Sequence, residues 1–417
     1  MPAESLMAER YSYEDAARDI TTWRAAFPMA RAEVDSKPLV YLDTASSGLK
    51  PAIMLDEMDR LYRDEFANVH RGVHRLSARM TERYETVRTT LARFLNAGTE
   101  DEIIFTSGTT EALNLISYGW GAVHLQEGDE IVLSVMEHHA NIVPWHFLRE
   151  RLGVRLKWVP FETDGSLDPD AMERAISPRT RLVAVTQMSN VLGTLAPVEE
   201  ICRRARAKGV PTLVDGAQAA VHKRVDVQAM GCDFYVVTGH KLYGPTGSGA
   251  VWIAPERLVE MQPFFGGGDM IREVTLEGIR YAGPPLMFEA GTPAIIPQIG
   301  LGLALDFLMS VGMDRIARAE AALTRYAMDR LAEVPGLKLH GDAAERGPLF
   351  SFSLATKGAS DTAVTLDDLG IAVRAGSFCS QPLMRQLGVK ALCRASLGLY
   401  TSFEDIDRLA SSLREMA

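Results

Sequence analysis

The 417-residue chain is 47% hydrophobic and 24% charged, an ordinary soluble globular composition, and is long enough for a large domain with a smaller one beside it. A net charge of −10 argues against nucleic acid or an anionic membrane as a general partner, because both reward clustered Lys and Arg. No apolar run approaches the roughly 18 residues that span a bilayer, and residues 1–30 lack the apolar core of a signal peptide, so a cytoplasmic protein with no membrane partner is expected. Residues 1–35 are read as a segment packing on a C-terminal domain. From about residue 100 to 255, short apolar strands alternate with helical stretches: "DEIIFTS", "DEIVLSV", "VRLKWVP", "TRLVAVTQ", "VPTLVDG", "DFYVVTG" and "GAVWIAP". That alternation predicts an α/β domain over residues 36–300 with a mostly parallel sheet covered by helices. Residues 256–297 are rich in Gly and Pro and read as long loops with one hairpin. A long helical stretch, "QIGLGLALDFLMSVGMDRIARAEAALTRYAMDRLAEVPG", then leads into a smaller α+β domain over 301–417, with strands "LFSFSLA" and "IAVRAG" and a final helix.

Ligands of such sheets belong at the carboxyl ends of the strands, and the residues of interest fall there. "SGTT" ends a strand and opens a helix, so Thr109 and Thr110 stand beside free backbone N–H groups and a close-approach glycine, which makes a phosphate cup; alone, the pattern is an ordinary Ser/Thr helix cap. "MEHHAN" brings His138 and His139 to another strand end, where alternation of faces allows at most one to point at a site. A flat imidazole there can stack on a flat ring. "SNVLGT" places Asn190 at a further end, where an amide suits a ring oxygen or a carboxylate. Asp215 in "VDGAQA" is an acid at the end of a buried strand and asks for a cation, with Gln218 three residues on. Lys241 in "GHKLYGPTG" follows the next strand. Such a lysine ordinarily lies along apolar surface with its ammonium in water. With the acid and the phosphate cup, it becomes a Schiff-base lysine, and the three together point to pyridoxal phosphate. Metal ligation is not expected, since neither the histidine pair nor "HRGVH" at His70 to His74 carries the glutamate of a zinc motif.

Four widely spaced cysteines without a CxxC pair suggest neither a disulfide framework nor a thiolate metal site. Cys202 and Cys232 read as buried small hydrophobes. Cys379, in "IAVRAGSFCSQPLM", sits in a short Gly-to-Pro loop that can hold a thiol at a pocket mouth.

The runs "VHRGVH", "SGTTEALNL", "MEHHANIVPW", "SNVLGT", "VDGAQA", "GHKLYGPTG", "FEAGTP" and "CRASLGLY" together resemble the SufS-like branch of the cysteine desulfurases, pyridoxal-phosphate enzymes of the class V aminotransferase group. The resemblance runs from about residue 20 to the C-terminus and implies an aspartate aminotransferase-like, fold type I architecture. It implies that Lys241 forms the Schiff base, Asp215 pairs with the pyridine nitrogen, His138 stacks on the ring, and Gln218 lies near the ring hydroxyl. Thr109, Thr110, Thr238 and His240 would hold the phosphate, joined in a homodimer by a residue matching Thr292 of the other subunit. Arg394 would bind the substrate carboxylate, with Asn190, His70 and Arg374 as further contacts. The motif R-x-G-x-x-C-x-x-P-L, met by Arg374 to Leu383, implies that Cys379 attacks the sulfur of L-cysteine. Alanine is then released and a persulfide left for an acceptor protein, feeding iron–sulfur cluster assembly or another thiolation pathway.

One departure stands out. Ser377 and Phe378 precede Cys379 where the family usually has histidine next to the cysteine, and phenylalanine neither shuttles a proton nor ligates a metal. A selenocysteine lyase or a β-eliminating C–S lyase on the same scaffold is the alternative, using Lys241 but depending less on Cys379. A non-catalytic scaffold is disfavoured by intact Lys241, Asp215 and Arg394.

Overall fold

The computed structural model describes residues 11–417; the expected packing of residues 1–10 lies outside the described residues. All seven strand runs join one sheet, in the order 103–106, 249–253, 234–238, 212–215, 180–186, 130–134, 155–159. Gly249–Ile253 runs antiparallel to both its neighbours and the other ladders are parallel. The strands carry apolar residues on both faces, and their alternation sorts them into two cores. Val132, Val183, Val185, Val214 and Val237 enter one hydrophobic cluster, while Ile131, Leu133, Leu182, Leu213 and Val236 enter the other. A strand buried on both sides needs this continuous apolar run, and helices on each face supply the cover.

Parallel ladders align carboxyl ends. Asp215 is in register with Thr186, and Val236 pairs with Asp215, so Thr238 and the residues after it lie just beyond the acid on the neighbouring strand. The chain after each of these strands turns into the same crevice.

The C-terminal part holds a four-stranded antiparallel sheet in the order 337–340, 349–354, 392–396, 374–376. Two of these strands, Leu337–His340 and Leu392–Ser396, have no counterpart among the sequence expectations. "IAVRAG" divides in two: Ile371–Ala372 pairs in parallel with Val40–Tyr41, and Arg374–Gly376 pairs with Leu392–Ser396. The expected long helix is also two, Ile295–Val311 and Met313–Ala332, bent by 75° at Gly312. Gly312 has a φ of 93°, which side-chain-bearing residues rarely adopt. Residue 300, the expected domain boundary, lies inside the first of these helices. The expected hairpin between 256 and 297 is formed by Ile271–Val274 and Ile279–Tyr281. Among the described residues no single helix is long and apolar enough to cross a membrane.

The helix Tyr13–Arg24 opens with a capping box between Ser12 and Asp15 and buries Ala16, Ile20 and Trp23. Its polar side ties it to the C-terminal part, through Asp19 with Arg315 and Arg24 with Asp405 at 2.5 Å.

Candidate active site

A cavity of about 350 Å³ opens at the carboxyl ends of the central strands. Lys241, in the turn after Phe234–Thr238, and Asp215, at the end of its strand, both line it. Burial brings the Lys241 amine down to about 8, against the opposing pull of Asp215. The same burial raises the Asp215 carboxyl, which Lys241 and a hydrogen bond from the Ala217 N–H at 3.0 Å partly offset. Asp215 enters no salt bridge among the described residues, so this buried carboxylate has room for a further cation. His138 lines the same wall, and burial together with the Lys241 charge lowers its pKa to about 3. Its ring is therefore neutral; Nδ1 accepts the Ala140 N–H at 3.1 Å, which leaves the proton on Nε2. His139 turns away, its Nε2 accepting the Gln381 N–H at 3.1 Å.

At one end of the cavity the helix Thr109–Ile116 begins after Gly108, whose φ is 148°. A Cβ at Gly108 would stand 3.1 Å from Thr238 Oγ1, so glycine keeps the approach to the helix start open. Thr109, Thr110, Thr238 and His240 line this end. The Thr109 hydroxyl is buried without a partner. Free helix N–H groups and an orphaned hydroxyl fit a phosphate. With the strand-end acid and a lysine of lowered pKa, the residues present fit pyridoxal phosphate. Gln218 also lines the cavity, its Nε2 donating to Ala45 O at 2.8 Å.

Arg394, Arg374, Asn190 and Cys379 line the same cavity. Antiparallel register sets Arg374 directly opposite Arg394, a like-charge pairing that needs an intervening acid. Asp43 is that acid. It accepts from Arg374 Nη2 at 2.8 Å and from Arg394 Nη2 at 3.4 Å, and Ser46 Oγ donates to it at 2.6 Å. Arg394 Nη1 also donates to Asn190 O at 2.8 Å, while its Nε is buried and unpartnered. Burial lowers the Arg394 pKa to about 10, the mark of a cation short of counter-charge, which a substrate carboxylate would relieve. Of the four cysteines Cys379 alone is exposed. Burial pushes the thiols of Cys202 and Cys393 up to about 12 and that of Cys232 well above its ordinary value.

His70 and Thr292 are not in this cavity. Both line a neighbouring one of about 190 Å³ that shares Ser107 and Glu111 with it, and His70 Nε2 is engaged with Glu85 at 2.8 Å.

Three residues carried no earlier expectation: Ser46, which lines the cavity, and Asp43 and Glu137, which hold residues that line it. Asp43 follows a short apolar strand, the same signal that singled out Asp215, so it was detectable. Asp43→Asn should weaken binding of a small carboxylate ligand at Arg394 by roughly tenfold, as expected for weakening charge-assisted hydrogen bonds that hold two arginines; ligand titration checks this. Glu137, next to His138, is fully enclosed and accepts from the Thr186 N–H at 3.0 Å and from Asn141 Nδ2 at 2.8 Å. Burial raises its carboxyl from 4.5 to about 8. The folded state thus holds the proton more tightly than the unfolded chain. The stability this contributes is complete below the unfolded pKa and is lost as pH rises through the folded one. Glu137→Gln, neutral throughout, should therefore lack this pH dependence: the Tm difference between variant and parent should move in favour of the variant by a few degrees from about pH 4.5 to about pH 8 and level off above, measured by thermal melts across that range.

Fold and site together define a class of protein, the enzymes that hold pyridoxal phosphate on a strand-end lysine at the mouth of an α/β sheet. Within that class, the chain belongs to the class-V aminotransferase family, whose model matches residues 40–409. Its sequence is 48% identical over 394 residues to a cysteine desulfurase of Enterobacter sp. (strain 638), covering 94% of this chain and 97% of that one. It is likewise 48% identical over 394 residues to a cysteine desulfurase of Dickeya dadantii (strain 3937), covering 94% and 95%. Its fold is similar to that of the cysteine desulfurase CsdA (S-sulfonic acid) from Escherichia coli, with a TM-score of 0.87, 38% identity and coverage of 95% and 98%. The apo cysteine desulfurase from Thermococcus onnurineus NA1 gives a TM-score of 0.90, with 35% identity and coverage of 95% and 97%.

Proposed function

We propose that the chain is a pyridoxal-phosphate-dependent cysteine desulfurase that converts L-cysteine to L-alanine and keeps the sulfur as a persulfide on Cys379. The observation that carries this reading is a single cavity in which a buried lysine of lowered pKa, a buried strand-end acid, an arginine short of counter-charge and an exposed thiol meet. Pyridoxal phosphate, when bound, supplies an electrophilic carbon for the substrate amine and draws electron density from the substrate carbons. Asp215 would hold a protonated ring nitrogen, His138 the ring face, Gln218 the ring hydroxyl, and Thr109, Thr110, Thr238 and His240 the phosphate. Thr292 would complete the phosphate site across a homodimer.

Arg394 takes the carboxylate of L-cysteine, with Asp43 and Ser46 fixing its guanidinium plane. Asn190 and Arg374 border the same pocket. Lys241, with an amine that is partly neutral near its pKa of about 8, carries a proton to and from the substrate α-carbon. Cys379 then attacks the substrate sulfur as thiolate. The new S–S bond forms as the Cβ–S bond breaks, the electron pair passes to carbon, and a proton completes the methyl group of alanine. A thiol and L-cysteine become a persulfide and L-alanine, with no external oxidant or reductant.

The sulfur then leaves to an acceptor protein, for iron–sulfur cluster assembly or another thiolation pathway, in the cytoplasm. Residues 36–300 are taken as the cofactor-binding unit and 301–417 as the smaller one that carries Cys379 and Arg394, with His70 serving the site from its neighbouring cavity. Mass spectrometry of the carbon product tests the reaction. Alanine in step with sulfide, from L-cysteine and a reductant, is expected; pyruvate and ammonia would reassign the chain as a β-eliminating lyase.

A further inference from the structure

The residue before Cys379 is a phenylalanine, and the structure gives it a definite place. Phe378 is only 8% exposed although Cys379 beside it is open to solvent. Its ring centroid lies 4.8 Å from the guanidinium carbon of Arg394, within the range of a cation–π contact. Phe378 and Cys379 both have a φ of 54°, two successive side-chain-bearing residues in the left-handed region. Such backbone persists only where its surroundings over-determine it. The surroundings here come from the large sheet. Asn190 Nδ2 donates to Phe378 O at 2.7 Å, the His139 N–H donates to Cys379 O at 2.7 Å, and Ser380 Oγ donates to Asn190 Oδ1 at 3.0 Å. Asn190 also accepts Arg394 Nη1 through its own carbonyl at 2.8 Å.

A closed triangle results. Asn190 holds the arginine by its backbone and the thiol-bearing turn by its side chain, and Phe378 closes the third side by lying on the arginine. Neither proton transfer nor metal ligation is open to this ring, so its contribution is made through Arg394 and the turn.

We propose that Phe378 is a positioning residue that couples binding of the substrate carboxylate at Arg394 to presentation of the Cys379 thiol. The aromatic face screens one side of the guanidinium from water, so an incoming carboxylate meets a poorly hydrated cation. The same ring, anchored on Arg394, keeps the turn in the conformation that brings Cys379 to the cavity mouth. This inference rests on the reading of Arg394 as the carboxylate site and deepens it: the specificity for an α-carboxylate and the placement of the nucleophile share one contact.

The test is a double-mutant cycle on the holoenzyme, with steady-state KM and kcat for L-cysteine and single-turnover persulfide formation as readouts. Phe378→Leu keeps bulk and removes the aromatic face. It should raise KM by roughly three- to tenfold, in the range of a desolvated cation–π contact, and slow persulfide formation. Phe378→Tyr keeps the ring and should restore both. In an Arg394→Lys background, where the planar guanidinium is gone, Phe378→Leu should change KM by less than about twofold, because the two substitutions remove one interaction. An unchanged KM in Phe378→Leu, or an equal increase in both backgrounds, would overturn the proposal. So would a Phe378→Tyr variant as impaired as the leucine one. Arg394→Lys alone with a KM like that of the parent would instead overturn the carboxylate reading beneath it. Thermal melts of each variant separate these effects from loss of folding.

Discussion

Lys241→Ala should lower the rate of alanine formation from L-cysteine by at least about a thousandfold, the scale expected for removing a group proposed to serve both as covalent anchor and as proton carrier. Lys241→Arg should fail as badly. A guanidinium keeps the positive charge that Asp215 faces but stays protonated, so it supplies neither a nucleophilic amine nor a proton acceptor near neutral pH. The two variants together separate charge from chemistry. If the arginine variant retained activity, Lys241 would be a counter-ion for Asp215 and nothing more. Borohydride reduction followed by peptide mass spectrometry reads the second consequence: the cofactor becomes permanently attached to the Lys241 peptide in the parent and to no peptide in either variant.

Cys379→Ser has the next largest effect. A serine hydroxyl fits the same exposed position but is far too weakly acidic to attack sulfur, so persulfide formation should vanish and alanine formation should fall by about a hundredfold or more. No other cysteine can replace it. Cys202, Cys232 and Cys393 are buried with their thiols pushed well up, and Cys393 already donates to Ala359 O at 3.0 Å. Binding of the cofactor should be unchanged, because Thr238 and Asp215 end strands of the large sheet and Thr109 opens the helix Thr109–Ile116, none of them in the turn that carries Cys379. Absorbance of the bound cofactor, titrated in both proteins, checks this second half.

The large sheet was legible because its strands are apolar on both faces, a pattern that survives without knowledge of any partner. Strand ends then pointed to Thr110, Asp215 and Lys241 by a general rule of parallel sheets, and the structure places all three on one cavity. The second sheet was less legible for a physical reason. Leu392–Ser396 is five residues long and carries an arginine, so no run or alternation marks it, and its partners lie far away in the chain. The opposition of Arg374 and Arg394 follows from antiparallel register alone, and the acid that makes it tolerable, Asp43, is 331 residues from Arg374. The helical stretch from Gln298 to Gly336 shows no break in its apolar pattern, and only the backbone conformation of Gly312 marks the bend within it. Phe378 was visible as a departure from the family pattern, yet its contact with Arg394 depends on the turn geometry and could not be read from spacing. His70 and Thr292 were singled out by resemblance, and the structure sets them in the adjoining cavity rather than with Lys241.

The most direct test of the account follows the sulfur. Holoenzyme is given L-cysteine without reductant, quenched with an alkylating agent, digested and mapped by mass spectrometry. The account predicts that the peptide bearing Cys379 is heavier by one sulfur atom, in step with alanine release, and that the peptides of Cys202, Cys232 and Cys393 are unchanged. Alanine formed with no added sulfur on Cys379, or with the sulfur on another cysteine, would contradict it.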